Sequence, residues 1–371
     1  ECKLPAFNAS TPLYVIEPLG DEQRLFVFDK ISNSDACHNR MYFDSNGDGN
    51  LNDETAIDGV VQPQDQVTFV IFPAVDTSIR VGECKLPFSF RVTAYLVSGE
   101  DVPYFNLTVD CAYQGTFALK EKNYTIWLSD SDGDARFDGM ASFADGQAPT
   151  TGGIPTVYPQ GDRAYITDAA MTTTGDRIVL SNKLVLGEEL FDLAINIPDK
   201  RLTLTPVTAP LAKLTLPVQA ERVSLYTSDK QHVINMYRPA LEVPIPTGDY
   251  RLLDYRVSRQ DDKGANWAVE ALGTPDCSIV TVGNSGEPAS MVFGEPYVPT
   301  VNAQLKPMEP SAMGVPGDPQ YAPPQPSLSA DLQLAVRGAG NEVLVDLAKL
   351  SGDKSSIPLS PKAFHRPKEP V

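Results

Sequence analysis

The stretch Phe88-Ser-Phe-Arg-Val-Thr-Ala-Tyr95 decides the fold class, because apolar side chains occupy every second position along it. A period of two residues is typical of a β-strand with one face in a core and one face in water. The same period recurs in segments 24–28, 66–72, 105–109, 124–128, 177–180, 191–195, 201–205, 241–245, 250–257 and 278–282. We find no segment with a sustained period of 3.6 residues and helix caps. The sequence therefore predicts an all-β protein.

Composition and charge narrow the class further. The chain has 371 residues, and 32 Pro and 26 Gly separate its short strands. Because parallel sheets need crossover helices, we expect antiparallel β-sandwich domains. The net charge of −18 repels nucleic-acid phosphates, so we expect no nucleic-acid partner. No stretch approaches the length of a membrane span, so we expect none.

Turn-rich joints and a Pro-rich stretch suggest the domain boundaries. Joints rich in Gly and Pro lie at residues 98–103 and 205–210, and nine Pro fall within residues 296–326. A Pro-rich stretch of this kind is typical of a semi-rigid linker. We expect β domains at 1–102, 103–207 and 208–298, a Pro-rich linker at 299–327, and a C-terminal β-hairpin with an extended tail at 328–371.

The predicted C-terminal hairpin consists of Leu328–Val336 and Val343–Leu347, joined by a Gly-rich turn. A hairpin of this size is too small to stand alone in water. We therefore expect it to dock on another β element, in the same chain or in a neighbouring subunit.

Five cysteines bear on the cellular compartment, and none belongs to a Cys-x-x-Cys pair. Four of them lie in the first third of the chain, which is typical of one or two disulfides in an oxidising environment. We expect at least one bridge among Cys2, Cys37, Cys84 and Cys111, without a fixed pairing. The alternative is that all five are buried free thiols.

The first acidic loop is Asp44-Ser-Asn-Gly-Asp-Gly-Asn-Leu-Asn-Asp-Glu54, which directly follows the predicted strand 40–43. Oxygen ligands at positions 1, 3 and 5, a Gly at position 6, a carbonyl at position 7 and a side chain at position 9 suit Ca²⁺. Position 12 is Thr55 instead of the bidentate Glu of an EF-hand. The predicted ligands are Asp44, Asn46, Asp48, Asn50, Asn52, Asp53 and Glu54. A cluster of Asx-turns is the alternative, although crowded acids repel one another without a cation.

A second acidic loop, Asp130-Ser-Asp-Gly-Asp-Ala-Arg-Phe-Asp138, repeats this spacing after the predicted strand 124–128. The predicted ligands are Asp130, Asp132, Asp134, Asp138 and the carbonyl of Arg136, and Asp145 is a candidate to complete the shell. Ala135 replaces the turn glycine, which costs about 1 kcal/mol if that position needs a positive φ. The two loops make Ca²⁺ the expected cofactor.

Several motifs, in this order, resemble a family of uncharacterised secreted calcium-loop β-sandwich proteins of planctomycete-type bacteria. They are Arg40–Glu54, Tyr113–Phe117, Trp127–Asp138, Gly161–Arg163 and Pro246–Leu252, within residues 24–298. The resemblance implies exported, calcium-loaded β modules with an immunoglobulin-like unit near residues 208–298, and no known enzymatic activity. The loops also resemble dockerin and EF-hand loops of the D-x-N-x-D-G type, although dockerin repeats come as tandem helical pairs.

Catalytic residue patterns are scarce in this sequence. Its three histidines, at positions 38, 232 and 365, accompany no nucleophile signature of the Ser or Cys type. We therefore expect that the protein is not an enzyme.

Together these observations predict a secreted calcium-binding structural protein of the cell surface or extracellular matrix, with any signal peptide already removed. Its expected partners are copies of itself or other surface proteins. A sharper version makes it a filament or lattice subunit that assembles by β-strand addition, with residues 1–16 or the segment after Pro326 as the donor. The alternative is a carbohydrate-binding or enzyme-associated extracellular module, in which exposed aromatic side chains beside the loops hold glycans.

Overall fold

A computed structural model describes residues 2–98, 103–143, 149–151, 153–168, 176–284, 286–308, 327–350 and 356–357. Within these residues the chain forms β-strands in several largely antiparallel sheets and no helix, which confirms the all-β prediction. The described part of the chain accordingly holds no helix with the length and apolar character that crossing a membrane requires.

The first sheet has four antiparallel strands in the order β1-β2-β3-β4. They are β1 (Leu13–Leu19), β2 (Glu22–Asp29), β3 (Arg40–Phe43) and β4 (Ile57–Asp58). Pairing of β2 with β3 sets Phe26 opposite Phe43, and both rings are buried. The first acidic loop lies between β3 and β4, at one end of this sheet.

The second sheet is built around the strand that contains the decisive stretch of sequence. Its strands are β5 (Val60–Gln64), β6 (Val67–Ile71), β7 (Val75–Val81), β8 (Cys84–Val97) and β9 (Tyr104–Val109), in the order β5-β6-β8-β7 with β9 also on β8. Phe88, Phe90, Val92 and Ala94 alternate into the core as their period predicts. Phe90 meets Phe26 of the first sheet with ring centroids 5.7 Å apart, so the two sheets pack face to face.

The third sheet carries the second acidic loop. Its order is β10-β11-β14-β15, and the two short strands between β11 and β14 in the chain form a separate pair. The strands are β10 (Tyr113–Leu119), β11 (Lys122–Ser129), β12 (Thr150–Thr151), β13 (Ile154–Pro155), β14 (Arg163–Thr167) and β15 (Asp176–Val179). The loop leaves the end of β11, where that strand pairs with β14.

The remaining strands form one sheet of twelve and one of three. They are β16 (Lys183–Leu186), β17 (Glu189–Asn196), β18 (Arg201–Pro206), β19 (Ala212–Thr215), β20 (Arg222–Thr227), β21 (Val233–Tyr237), β22 (Glu242–Ile245), β23 (Gly248–Gln260), β24 (Asn266–Leu272), β25 (Val280–Val282), β26 (Ala289–Ser290), β27 (Val298–Met308), β28 (Ser327–Arg337), β29 (Val343–Leu350) and β30 (Ser356–Ile357). The small sheet has the order β22-β19-β26.

Two main hydrophobic clusters hold these sheets together. The first joins the three N-terminal sheets, and the second fills the space between the large and the small C-terminal sheets. β16 pairs in parallel with β21, so hydrogen bonding crosses the predicted boundary between residues 207 and 208. Leu184 of β16 belongs to the first cluster and its neighbour Val185 to the second, because successive strand residues point to opposite faces.

The C-terminal strands pair with each other only beside the turn of the predicted hairpin. β28 pairs with β27 over its whole length, and with β29 only at Arg337 and Val343. β29 instead pairs with β24 of the same chain, so the predicted docking occurs in cis in this structure. The turn between them is closed by a hydrogen bond from the Gly338 N–H to the Glu342 carbonyl at 3.0 Å, and the Glu342 side chain is fully buried.

Glu342 fixes this turn through a complete set of hydrogen bonds. Its Oε1 accepts from the backbone N–H of Gly294 (2.6 Å) and the hydroxyl of Tyr255 (3.1 Å). Its Oε2 accepts from the backbone N–H of Gly340 (2.9 Å). A buried carboxylate is tolerated only when its oxygens are satisfied in this way.

The predicted linker at 299–327 also needs correction at its N-terminal end. Residues 299–308 belong to β27, because apolar residues alternate along them and because an edge strand tolerates proline. Residues 309–326 of the linker, and all of the predicted tail except β30, lie outside the described residues.

The predicted disulfide is absent, since all five cysteines are free thiols. The Cys84 thiol lies 3.2 Å from the Pro198 carbonyl, and the Cys111 sulfur accepts from the Ser89 N–H at 3.3 Å. Ser89 follows Cys84 by five residues on β8, which separates the two thiols by roughly 16 Å at 3.3 Å per residue. A disulfide needs Cα atoms within about 7 Å, so this pair cannot bridge.

Candidate metal centre

The first acidic loop begins where β3 ends. The Asp44 N–H donates to the Leu25 carbonyl on β2 at 2.9 Å, so the β-ladder continues one residue beyond β3. The Asp44 side chain is only 4% exposed, which is rare for a carboxylate. The sheet therefore fixes this side chain in position before the loop turns.

Backbone amides of the first loop converge on Asp44. Its Oδ1 accepts from the N–H of Gly47 (2.7 Å) and of Asp48 (3.2 Å), and its Oδ2 accepts from the N–H of Gly49 (3.0 Å). Gly47 and Gly49 have φ angles of 77° and 72°, a conformation that glycine adopts at little cost. Further along, Asp48 Oδ1 accepts from the N–H of Asn50 at 2.8 Å. The predicted sharp turn is therefore present.

The second loop has the same backbone geometry. Asp130 Oδ1 accepts from the Gly133 N–H (2.7 Å), and its Oδ2 accepts from the Ala135 N–H (2.8 Å). Asp134 Oδ1 accepts from the Arg136 N–H at 2.8 Å. Each of these three hydrogen bonds joins the same two loop positions as a hydrogen bond of the first loop. The two loops are thus copies of one local structure on two different sheets.

Ala135 adopts the left-handed conformation that its position demands. Its φ is 61°, close to the 72° of Gly49 at the equivalent position of the first loop. The strain costs about 1 kcal/mol. Ala135 is also fully buried in the first hydrophobic cluster, and burying its methyl group contributes about 0.8 kcal/mol in return. This burial explains why alanine is tolerated there.

A carboxylate from outside the first nine residues closes each loop. In the first loop, Glu54 Oε1 accepts from the N–H of Ser45 at 2.7 Å and from its hydroxyl at 2.9 Å. In the second loop the matching residue is Asp162, whose Oδ1 accepts from the N–H of Ser131 at 3.0 Å. Asp162 Oδ2 also accepts from the Gly139 N–H at 2.8 Å. Glu54 and Asp162 are therefore equivalent, because each accepts the N–H of the second residue of its loop.

The register of β11 and β14 explains how Asp162 reaches the second loop. Ser129, the last residue of β11, lies opposite Arg163, the first residue of β14. Asp130 and Asp162 are the next residues outward on each strand, so they meet at the end of the ladder. The sequence indicates Asp162 only through the motif Gly161–Arg163, because β14 is not among the predicted strands and linear spacing does not connect Asp162 with the loop.

Asp130, Asp132 and Asp162 bring carboxylate oxygens within 4.8 Å of one another. Asp130 is 6% exposed and Asp162 is fully buried. Burial raises the pKa of Asp162 to about 7 and that of Asp130 to about 6, and nearby carboxylates add to the increase while backbone N–H donors oppose it. Burial also raises the pKa of Asp134. Oxygen-only donors with this crowding of negative charge suit a hard divalent cation.

Other predicted ligands of the two loops are exposed or have other partners. Asn52 donates its N–H to Asn50 Oδ1 at 3.3 Å, and its side chain and that of Asp53 are exposed. The Arg136 guanidinium forms an ion pair with Asp21 in the turn between β1 and β2. Asp138 is not part of the three-carboxylate cluster, and Asp145 lies outside the described residues.

Both acidic loops accept hydrogen bonds from the first hairpin, which consists of β1 and β2. The Asp134 carbonyl accepts from the N–H of Gly20 in the β1–β2 turn at 2.9 Å. Four residues along, the buried Arg24 donates to the Asp44 carbonyl at 3.3 Å and to the Ser78 carbonyl of β7 at 3.2 Å. The loops therefore lie at the junction between the first three sheets.

The first loop also holds the N-terminal segment. The Lys3 N–H donates to the Gly49 carbonyl at 2.9 Å, and the Leu51 N–H donates to the Lys3 carbonyl at 2.8 Å. Phe7 then packs edge-on against Tyr42, with ring centroids 5.7 Å apart. The conformation of the loop thus determines where this segment lies.

No family model, no curated protein and no solved structure matches this chain.

Proposed function

We propose that this chain is a secreted calcium-binding structural protein of the cell surface or extracellular matrix. The observation that carries the proposal is the second loop, where three carboxylates from two strands converge within 4.8 Å on a loop with calcium-type spacing. The first loop supports it, because the same backbone turn forms around Asp44.

The donor set favours calcium over other common ions. Carboxylate, amide and carbonyl oxygens in an irregular loop accommodate the six to eight ligands of Ca²⁺, whereas Mg²⁺ requires a near-ideal octahedron. The loops offer no His or Cys, which zinc prefers. In each loop the backbone amides hold the first carboxylate in place, and in the second loop Asp130 thereby lies within 4.8 Å of the carboxylate oxygens of Asp132 and Asp162.

A structural role follows from where the loops lie. The second loop joins the third sheet to the β1–β2 hairpin through Gly20, and the first loop contacts Arg24 of that hairpin, which also bonds to the Ser78 carbonyl of the second sheet. A bound ion would neutralise the buried acids and hold the three N-terminal sheets in one arrangement. Calcium would therefore act here as a structural ion that stabilises the contacts between these sheets.

Assembly by strand addition is the finer part of the proposal, and a groove between β10 and β18 supports it. Each of these strands ends its sheet. The groove between them has a volume of about 410 Å³ and is lined by apolar side chains that include Phe117, Ile126 and Leu202. A strand from another subunit could pair with either edge and place alternate side chains in the groove. β29 is not the free donor in this structure, since it already pairs with β24.

Calorimetric calcium titration tests the proposal. We expect two ions per wild-type chain, with dissociation constants of about 10⁻⁴ to 10⁻³ M, the range of extracellular calcium modules. Asp162→Asn should abolish binding at the second loop alone, and Asp44→Asn should abolish binding at the first loop alone.

The matched control is Asp229→Asn, because Asp229 accepts the Gln231 N–H in an exposed turn of the same Asx type, without a carboxylate cluster. This variant should still bind two ions. Absence of calcium binding by the wild-type chain, or loss of an ion from the control variant, would contradict the proposal.

A further inference from the structure

A small cavity lies between the third sheet and the large sheet. Its volume is about 170 Å³, and it is lined by side chains of both sheets and of the segment before β14. Three of the lining residues are arginines, Arg163 of β14, Arg177 of β15 and Arg222 of β20. Two carboxylates, Asp254 of β23 and Glu270 of β24, also line it. In a chain with a net charge of −18, this grouping of positive charge requires an explanation of its own.

Arg163 carries a buried charge without a neighbouring carboxylate. The residue is only 5% exposed. Its Nη2 donates to the Pro159 carbonyl at 3.1 Å, its Nη1 lies 3.5 Å from the Gly161 carbonyl oxygen, and its Cζ lies 4.8 Å from the centroid of the Tyr158 ring. Among the described residues, no carboxylate forms an ion pair with it. Because a buried charge is costly unless an opposite charge compensates it, this guanidinium lacks an anion.

The strand register places Arg177 next to Arg163. Arg163 lies opposite Val179 of β15, and Arg177 precedes Val179 by two residues. Diagonal neighbours of this kind share one face of a sheet and lie about 7 to 8 Å apart. Arg177 is exposed, and within the part of the chain that the structure describes it too has no carboxylate partner. Two like charges in neighbouring positions repel each other unless an anion lies between them.

The two positive charges also act on Tyr158, which lines the same cavity. Burial acts to raise the pKa of this phenol, but a hydrogen bond from Arg163 and the positive charges of Arg163 and Arg177 lower it. The pKa therefore lies below its ordinary value, although the negative charge of Asp254 opposes the shift. Surroundings that favour a phenolate also favour other anions at this place.

The carboxylates of the cavity bind to the third arginine. Asp254 Oδ1 lies 3.1 Å from Arg222 Nε, and Glu270 Oε2 lies 3.3 Å from Arg222 Nη2. Neither carboxylate forms an ion pair with Arg163 or Arg177 in the described structure. The cavity therefore separates a wall that is ion-paired from a wall whose two cations have no anion.

We propose that this cavity binds a small oxyanion between Arg163 and Arg177. A guanidinium presents its N–H donors in a planar fork that matches the oxygens of phosphate, sulfate and carboxylate groups. The bound group supplies the negative charge that the buried Arg163 lacks, and it relieves the repulsion between the two arginines. This site is separate from the proposed calcium-binding role and includes none of the predicted calcium ligands.

The size of the cavity limits the ligand. Its volume of about 170 Å³ is several times what a single water molecule needs, but it is below the range of about 300 to 1,000 Å³ that encloses larger organic ligands. One sulfate, phosphate or carboxylate group fits inside. A larger molecule, such as an acidic sugar, could insert only its charged group. The ligand is therefore a free oxyanion or the charged group of a sugar.

Calorimetric titration of the calcium-free full chain with sodium sulfate tests this inference, with sodium chloride of equal ionic strength as the reference. Up to about 10 mM, where a weak site for a small ion saturates, we expect one sulfate per wild-type chain. Arg163→Gln and Arg177→Gln should each weaken binding at least tenfold, because each removes one charged fork. Arg177 is exposed, so its variant reports on the site even if the buried substitution prevents folding.

The matched control is Arg201→Gln, which removes the same charge from an exposed arginine of β18 outside this cavity. This variant should bind sulfate like the wild type. Titrations with inorganic phosphate and with glucuronate distinguish the sources of the anion. Binding of sulfate or phosphate supports a free ion, and binding of glucuronate alone supports the charged group of a sugar. Failure of the wild type to bind any of the three, or an equal loss in the control, would overturn the inference. Because calcium is left out, this result is independent of the proposed calcium sites.

Discussion

Removing calcium should make the stability of this chain depend steeply on pH, and Asp162 and Asp130 determine the direction. Burial raises the pKa of Asp162 to about 7 and that of Asp130 to about 6 in the folded chain. In the unfolded chain both carboxyl groups titrate near pH 4. Without the ion, the folded state therefore retains protons that the unfolded state has lost. The calcium-free chain is therefore most stable below about pH 4, and it loses this contribution to its stability as the pH rises through about 7.

The magnitude follows from the size of the pKa change. A rise from 3.8 to about 7 corresponds to about 4 kcal/mol for Asp162, at 1.36 kcal/mol for each pH unit. Because Asp130 and Asp162 interact, their contributions to the pH dependence of the unfolding free energy do not add. Opening of the loop limits the total loss of stability. We expect a loss of roughly 2 to 4 kcal/mol between about pH 4 and about pH 8 in the chelated protein. With bound calcium both carboxylates are ionised already, so this loss should disappear.

Urea unfolding followed by tryptophan fluorescence measures the effect. The chain has two tryptophans, and Trp127 lies on β11, three residues before Asp130. A Trp267→Phe background leaves Trp127 as the only reporter. Asp162→Asn should flatten the pH profile of the chelated protein, while the control Asp229→Asn should leave it unchanged. Equal stability of the chelated protein at about pH 5 and about pH 8 would refute the reasoning.

Substitutions at three further places test the packing of the β1–β2 turn, the C-terminal turn and the N-terminal segment. Gly20→Ala should lower the urea midpoint more than Gly187→Ala, because both positions have a positive φ but only the Gly20 methyl group would lie 2.4 Å from the Arg80 carbonyl oxygen. Equal losses would contradict the close packing of the β1–β2 turn. Glu342→Gln should lower the free energy of unfolding in urea by about 1 to 3 kcal/mol, because the new side-chain amide N–H then faces an N–H that the carboxylate had accepted. An unchanged midpoint would show that this carboxylate does not hold the turn. Phe7→Ala should weaken calcium binding at the first loop alone in calorimetric titration, because that side chain anchors the N-terminal segment to the loop; an unchanged first site would refute the coupling.

The strands could be predicted from the sequence because a period of two residues is a local signal. Tyr124–Leu128 and Phe191–Ile195 both lie in strands, as their alternation predicts. The loop turns were predictable for the same reason, since Asp, Asn and Gly specify them within six residues. Even the strain at Ala135 followed from its place in the motif.

Pairing between strands could not be predicted, because it depends on partners far apart in sequence. Asp162 joins Asp130 only through the register of β11 with β14. Beyond its turn the C-terminal hairpin does not continue, because β28 pairs with β27 and β29 pairs with β24. The expected disulfide failed for a related reason: Cys84 and Cys111 are close to the same strand, but at different positions along it.

An anomalous difference map from crystals grown in calcium would show whether the two loops bind the ion. We expect one peak enclosed by Asp130, Asp132 and Asp162, and a second peak beside Asp44, Asn46 and Asp48. Well-ordered loops that hold only water at both places would contradict this expectation, since the crowded carboxylates would then need no ion.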